Sequence, residues 1–406
     1  MSYARNKETA SGITFIIKES IKSFIRHNNF EMSVALASYG FFSIIPLLFF
    51  VIYLSGSYTA VSNQIINSIE NLMAHLFPNL KIFTVRELYF PTSYKIAWGI
   101  ISFSMIIVSL MSVSDSLRTA FLKVFNVTRE VSFFRLQLIN IASTVLILAL
   151  FAALVAGEAT YTFYGGPLIE NSFLKQYGDI SMSFIVTCVC MVMVYVAFPP
   201  VRLNIRHIVT VSVITAMLLV AMKSLFARFL TFNPDYGVAF GSMKTLFIMI
   251  IWIYYCFLVI LFGAEIIANI GKRDALILKK LFLGADHTGG IPEKFINRYI
   301  KSYNEEDVIF SEEENGDVMF FVMSGSVSIS RKTKVIRIMK KNDYFGEMSM
   351  LLDAPRTATA KALEQNTRLV VISRENFETI LRESPEIVLA ILKEMALRLK
   401  STNESI

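Results

Sequence analysis

Apolar residues dominate the first two thirds of the chain in long unbroken stretches, and then give way to short alternating runs. Six stretches approach or exceed the roughly 20 residues needed to cross a bilayer as a helix. They lie near Met32–Leu54, Tyr94–Val113, Ile139–Thr160, Ser181–Phe198, Ile208–Phe229 and Met243–Ile270. Ahead of them, residues 12–26 repeat at helical spacing. Phe15, Ile17, Ile21, Phe24 and Ile25 share one side, and Lys18, Lys22 and Arg26 fall mostly on the other. That pattern predicts a basic amphipathic helix, either lying on a membrane surface or packed on the bundle. Between the first two spans, Ile65, Ile66, Ile69, Leu72, Met73 and Leu76 predict another amphipathic helix within 55–93.

After residue 290 the periods shorten. Ile291-Pro292-Glu293 predicts a helix running to about Ser302. Strands are predicted at Asp307–Phe310, Val318–Ser324, Ser326–Arg331, Val335–Met339, Thr359–Leu363 and Thr367–Ser373, with turns at Asn315-Gly316-Asp317 and Ser324-Gly325. Helices are expected over Asn376–Leu381 and Pro385–Lys400. The latter presents Ile387, Ile391, Leu392, Met395 and Leu399 as an apolar face.

Composition supports this division. Of 406 residues, 54% are hydrophobic and only 17% charged, below the roughly one quarter of a soluble protein. The net charge of +7 does not point to nucleic acid, because the basic residues are spread over loops between apolar segments. Arg118, Lys123, Arg129 and Arg135 follow the second span, Arg202, Arg206 and His207 the fourth, and Lys272, Arg273, Lys279 and Lys280 the sixth. The loop at 157–180 instead carries Glu158, Glu170 and Asp179 against Lys175. The positive-inside rule then puts both termini in the cytoplasm of a multi-pass protein. Cys188, Cys190 and Cys256 sit in apolar runs and read as buried thiols. His27, His75, His207 and His287 are scattered, so neither a metal site nor a catalytic cluster is expected.

Polar groups inside spans are costly and therefore informative. Glu158, near the outer end of the third span, and Lys223, in the outer third of the fifth, are placed to pair or to line a cavity. Glu265, near the inner end of the sixth, is placed to reach the interface. For each of these a purely structural role is the more economical reading.

The stretch richest in chemistry is Phe345-Gly346-Glu347-Met348-Ser349-Met350-Leu351-Leu352-Asp353-Ala354-Pro355-Arg356-Thr357-Ala358. Gly346 lets backbone approach a ligand, and the following residues favour a single helical turn with exposed amides. Arg356 returns a guanidinium fork suited to phosphate oxygens. Glu347 beside it implies a ligand that also offers hydroxyl donors, as a sugar phosphate does.

Phe-Gly-Glu followed at this spacing by Pro-Arg-Thr-Ala resembles the phosphate-binding cassette of cyclic nucleotide-binding domains, over roughly residues 295–400. The resemblance implies that Arg356 takes the cyclic phosphate and Glu347 the ribose 2′-hydroxyl. It also implies that amides from Gly346 through Met348 to Ser349 complete the cradle, with Thr357 beside phosphate or base. The family usually has Gly-Asp before the cassette; here Asn342-Asp343 stands there, a mild departure because Asn tolerates the left-handed conformation.

In the membrane part, the segment from Ala35 through Tyr39, Gly40 and Pro46 to Leu48 resembles the first span of the YihY/BrkB family of bacterial inner-membrane proteins. Tyr236–Ser242 and Ile260–Glu265 resemble its last loop and span. The expected architecture is thus an α-helical six-span transmembrane bundle followed by an α+β domain, a small antiparallel β-barrel or jelly roll with flanking helices. Residues 1–275 form the bundle with its N-terminal helix, 276–294 a linker, and 295–406 the cytoplasmic domain. The implied ligand is cAMP or cGMP, cAMP being favoured by the bacterial look of the membrane part. No cofactor, no nucleic-acid partner and no enzymatic activity are expected, the bilayer is a partner, and a homo-oligomer stays open. Two functions fit: nucleotide control of a transporter or channel-like bundle, and a membrane-anchored nucleotide-dependent scaffold.

Overall fold

The computed structural model describes residues 2–57, 95–127, 138–139, 141–146, 149, 172–201, 203–232, 244–282, 296–332 and 334–403. Contacts divide the chain into one unit of residues 20–268 and another of residues 1–19 with 269–406.

The unit of residues 20–268 is helical. After α1 (Ser2–Arg26), whose residues up to Glu19 belong to the other unit, come α2 (Asn29–Ser57), α3 (Lys95–Val124), α4 (Ser172–Ala197), α5 (Ile205–Phe232) and α6 (Lys244–Gly271). Among the described residues, Gly99–Val124, Ile205–Phe229 and Leu246–Gly271 are long and apolar enough to cross a membrane, with Phe184–Ala197 a shorter apolar helix. The expected third span is only partly described. Glu158, the predicted helix within 55–93 and the loop motif at 236–242 lie outside the described residues.

α2 packs along α3, and α4 along α5. The α2 helix runs through Pro46 rather than breaking there. Gly40 lets α2 approach α6: a Cβ there would sit 3.3 Å from Ile253 and Phe257. Pro199 and Pro200 lie just after α4, where a residue without an N–H ends the helix. The expected apolar face of α1 needs correction. Phe24 is buried with Ser20 and Ser23, whereas Ile13, Ile17, Ile21 and Ile25 form an exposed ridge one turn apart, beside exposed Lys18, Lys22 and Arg26.

The second unit is a pair of four-stranded antiparallel sheets. One has the order β1 (Ile300–Tyr303), β8 (Thr367–Ser373), β3 (Val318–Ser324), β6 (Tyr344–Phe345). The other runs β2 (Val308–Phe310), β7 (Thr359–Ala362), β4 (Val327–Arg331), β5 (Lys334–Met339). Phe320, Val322, Phe345 and Leu369 from the first sheet share one core with Phe310, Val327, Met339 and Ala360 from the second. Both faces of β3 are covered, Phe320 and Val322 by this core and Met319 and Phe321 by a second one, which is why that strand reads as a continuous apolar run.

Two elements differ from expectation. Residues 300–303 are strand, not the end of a helix: Ile300 to Tyr303 pair with Val370 to Thr367 and complete the sheet edge. The proline start signal at Ile291-Pro292-Glu293 does not fix where a helix ends, and pairing to β8 decides residues 300–303. Residues 273–282, which include the start of the expected linker, form helix α7 (Arg273–Phe282). Its Ala275, Ile277 and Leu278 are buried in a second core with Met319, Ile372, Phe377, Ile380, Ile387 and Ile391. The Gly-rich residues 284–290 lie outside the described residues.

Candidate functional site

The cassette begins where β6 ends. Gly346 caps the short helix α8 (Glu347–Leu352) with φ 80°, a left-handed conformation that glycine adopts without strain. A Cβ there would also come 2.8 Å from Nη1 of Arg356. At the other end, Asp353 is left-handed as well, and its N–H closes on the Ser349 carbonyl. Ser349 Oγ lies 2.7 Å from the carbonyls of both Gly316 and Ala354, fastening α8 to the β2–β3 loop. Asn342 has φ 75°, the conformation its side chain makes tolerable before the cassette.

Arg356 is 4% exposed. Its Nη1 donates to the Gly346 carbonyl at 2.6 Å and its Nη2 to the Val318 carbonyl at 2.8 Å. The guanidinium carbon stands 4.3 Å from the Phe310 ring centroid and 6.0 Å from that of Phe320. Phe310, Phe320 and Phe345 contact one another with centroids 5.4–5.9 Å apart, giving the cation an aromatic floor. Its backbone is held too, with Arg356 N donating to Glu314 O and Glu313 N to Arg356 O, both at 2.8 Å. Burial lowers the guanidinium's pKa, while the carboxylates of Glu314, Asp317 and Glu347 pull it back up. The group stays cationic in this setting. Nε of Arg356 is buried without a hydrogen-bond partner. A buried donor left unspent is costly unless an acceptor arrives.

The structure therefore brings together Gly346, Glu347, Ser349 and Arg356, with Glu347 buried at 5% exposure. Met348 and Thr357 are exposed, so Met348 has only its amide to offer the cradle. Sequence reading missed Gly316, Val318, Phe310 and Phe320. Gly316 marked a turn, yet its role is space: a Cβ there would collide with the Arg356 guanidinium. Gly316→Ala is thus expected to displace Arg356 and lower stability by about 1–3 kcal/mol, as overpacking does, measured by thermal unfolding of the full chain.

In the membrane unit, Lys223 is half-buried on α5. Glu265 corrects its expectation. It does not reach an interface but is 1% exposed, and its Oε1 lies 2.6 Å from Nδ1 of His27 and 2.7 Å from Nδ2 of Asn29. Nearby, Tyr195 of α4 donates to the Ile260 carbonyl of α6 at 2.8 Å and meets Thr215 of α5 at 3.2 Å. Gly263 leaves the room for that junction, since a Cβ would strike Tyr195 and Thr215. No cluster of three or more metal-ligating side chains occurs among the described residues.

Comparison with known proteins finds relatives of both parts of the chain. Residues 20–280 match the family model described as virulence factor BrkB, and residues 300–384 match that of the cyclic nucleotide-binding domain. A cGMP-dependent protein kinase of Eimeria tenella is 37% identical over 82 residues, 20% of this chain and 8% of the kinase. A UPF0761 membrane protein of Aliivibrio salmonicida is 31% identical over 87 residues, 21% of this chain and 28% of that protein. The chain thus spans less than a third of the length of either relative. The catabolite activator protein of Thermus thermophilus is 25% identical where the structures align. That alignment covers 31% of this chain and 61% of that one, with a TM-score of 0.26. Because the first family model takes in more than half of the 406 residues, the chain belongs to the BrkB (YihY/BrkB) family of membrane proteins, joined to a cyclic nucleotide-binding domain.

Proposed function

We propose that the cassette binds cAMP in preference to cGMP and that binding regulates the membrane bundle as a transporter or channel-like device. The observation that carries this reading is the buried Arg356, held by two carbonyls and an aromatic floor with its Nε unspent, next to the buried carboxylate of Glu347. A cyclic phosphodiester supplies the acceptor, and its ribose hydroxyl supplies the donor that Glu347 takes. In this reading the bundle has six spans, both termini are cytoplasmic, and no catalytic step or cofactor is involved.

A route from the site to the last span follows side chains of the nucleotide unit. Asp353, at the end of α8, pairs with Arg374, the first residue of α9 (Arg374–Glu383). Glu383, the last residue of α9, accepts from Lys272 Nζ at 2.6 Å, and its carbonyl from Lys279 Nζ at 3.4 Å. Lys272 joins α6 to α7. Movement of α8 on the phosphate would thus pull on the residue that follows the last span, with a coupling of about 1–3 kcal/mol as is usual between linked sites. The last helix, α10 (Pro385–Asn403), already buries Ile387 and Ile391 in the core with Met395 packed beside them, so of the apolar face expected to lid the base Leu392 is exposed, as are Leu389 and Leu397 elsewhere on the helix.

Solute flux from liposomes holding the full chain, with and without cAMP, tests the regulatory reading. Flux that changes on adding cAMP supports it. Absence of flux in both conditions rejects it and leaves a nucleotide-dependent membrane scaffold.

A further inference from the structure

The strand pair β4–β5 carries a feature that nucleotide binding does not use. Residues 331–341 contain Arg331, Lys332, Lys334, Arg337, Lys340 and Lys341 and no acidic residue. Arg331 pairs with Glu312 at 3.6 Å. The other five basic side chains are exposed and in no ion pair among the described residues. Glu312 and Asp343 flank the two ends, each accepting a backbone N–H of the hairpin, from Lys332 and Lys340. Among these cations, Val335, Ile336 and Ile338 are 56%, 60% and 48% exposed.

β5 is the edge of its sheet, with β4 its only strand neighbour among the described residues. Ile338 lies opposite Ser328 while the next residue, Met339, points into the core, so Ile338 faces outward. Between the pairs Ile329↔Arg337 and Ser330↔Val335 the register slips, leaving Ile336 as the extra residue of a bulge. A bulge and a row of Lys and Arg spoil this edge as a template for another strand. Isoleucines have no counterpart on a nucleic-acid backbone, but a cationic rim around a few aliphatic side chains matches a layer of anionic headgroups over acyl chains. The domain also follows a membrane-spanning helix by a single residue, Lys272, between α6 and α7.

We propose that the β4–β5 hairpin docks on an anionic phospholipid surface, with Ile336 and Ile338 entering the headgroup layer and Lys332, Lys334, Arg337, Lys340 and Lys341 on the lipid phosphates. Hydrogen exchange of the full chain in nanodiscs tests this whichever side of the bilayer the domain occupies. Amides of residues 331–341 should exchange about tenfold more slowly in discs containing phosphatidylglycerol than in phosphatidylcholine alone, with protection lost at high salt. The double variant Lys334→Glu, Arg337→Glu should lose that protection, while unchanged exchange in β3 shows that the domain stays folded. Equal exchange in the two lipids would overturn the proposal. So would protection in both lipids that grows with protein concentration, which would place a second copy of the chain on this face.

Discussion

Replacing Arg356 by alanine is expected to lower cyclic nucleotide affinity by about 2–5 kcal/mol, the usual loss when one partner of a buried charge contact is removed. That is roughly thirtyfold to several thousandfold in Kd. The size follows from where the guanidinium sits. It is buried, braced by the Gly346 and Val318 carbonyls, and set over Phe310, so its orientation is fixed before ligand arrives. Arg356→Lys should recover only part of the loss, because an ammonium keeps the charge but not the fork. Calorimetry on the full chain measures both variants. Thermal unfolding without nucleotide separates lost binding from lost folding, since the same side chain ties α8 to β3. Unchanged affinity in Arg356→Ala would reject its assignment to the phosphate.

The second large effect is expected in the membrane unit. Glu265→Ala should destabilise the chain by about 1–3 kcal/mol, the cost of leaving buried polar groups without their acceptor. The carboxylate is the shared acceptor for His27 and Asn29 at the turn between α1 and α2, where Asn28 is left-handed with φ 54°. Asn29 is fully buried and its Oδ1 already lacks a partner, so removing the acceptor of its Nδ2 strands the whole amide. Glu265→Gln keeps an acceptor and should cost markedly less. Thermal unfolding of the full chain in detergent gives the comparison, and equal stability of the alanine and glutamine variants would contradict the role assigned to the cluster.

How much of this was legible in the sequence depends on the kind of signal. Strands such as Val318–Ser324 and Thr367–Ser373 were readable to the residue, because each is a short apolar run that ends at a serine, with Met319 and Phe321 filling one core and Phe320 and Val322 the other. The cassette was readable because Gly346, Glu347 and Arg356 are needed for backbone shape and charge rather than for packing. Local spacing failed where a partner distant in sequence decided the outcome. Ile300–Tyr303 became strand because β8 lies alongside, and α7 joined the domain because Ala275, Ile277 and Leu278 fill a core shared with Phe377 and Ile387. Gly316 looked like any turn glycine, since nothing nearby in sequence reveals a guanidinium forty residues later. The Glu265 cluster was half legible: a carboxylate in a span is conspicuous, but its partners stand 236 and 238 residues away.

Titrating the full chain in detergent with cAMP and cGMP, followed by calorimetry, reaches the central claim most directly. The geometry around Arg356 and Glu347 predicts saturable binding of at least one nucleotide, abolished or strongly weakened by Arg356→Ala. A folded chain that takes up neither nucleotide would contradict it.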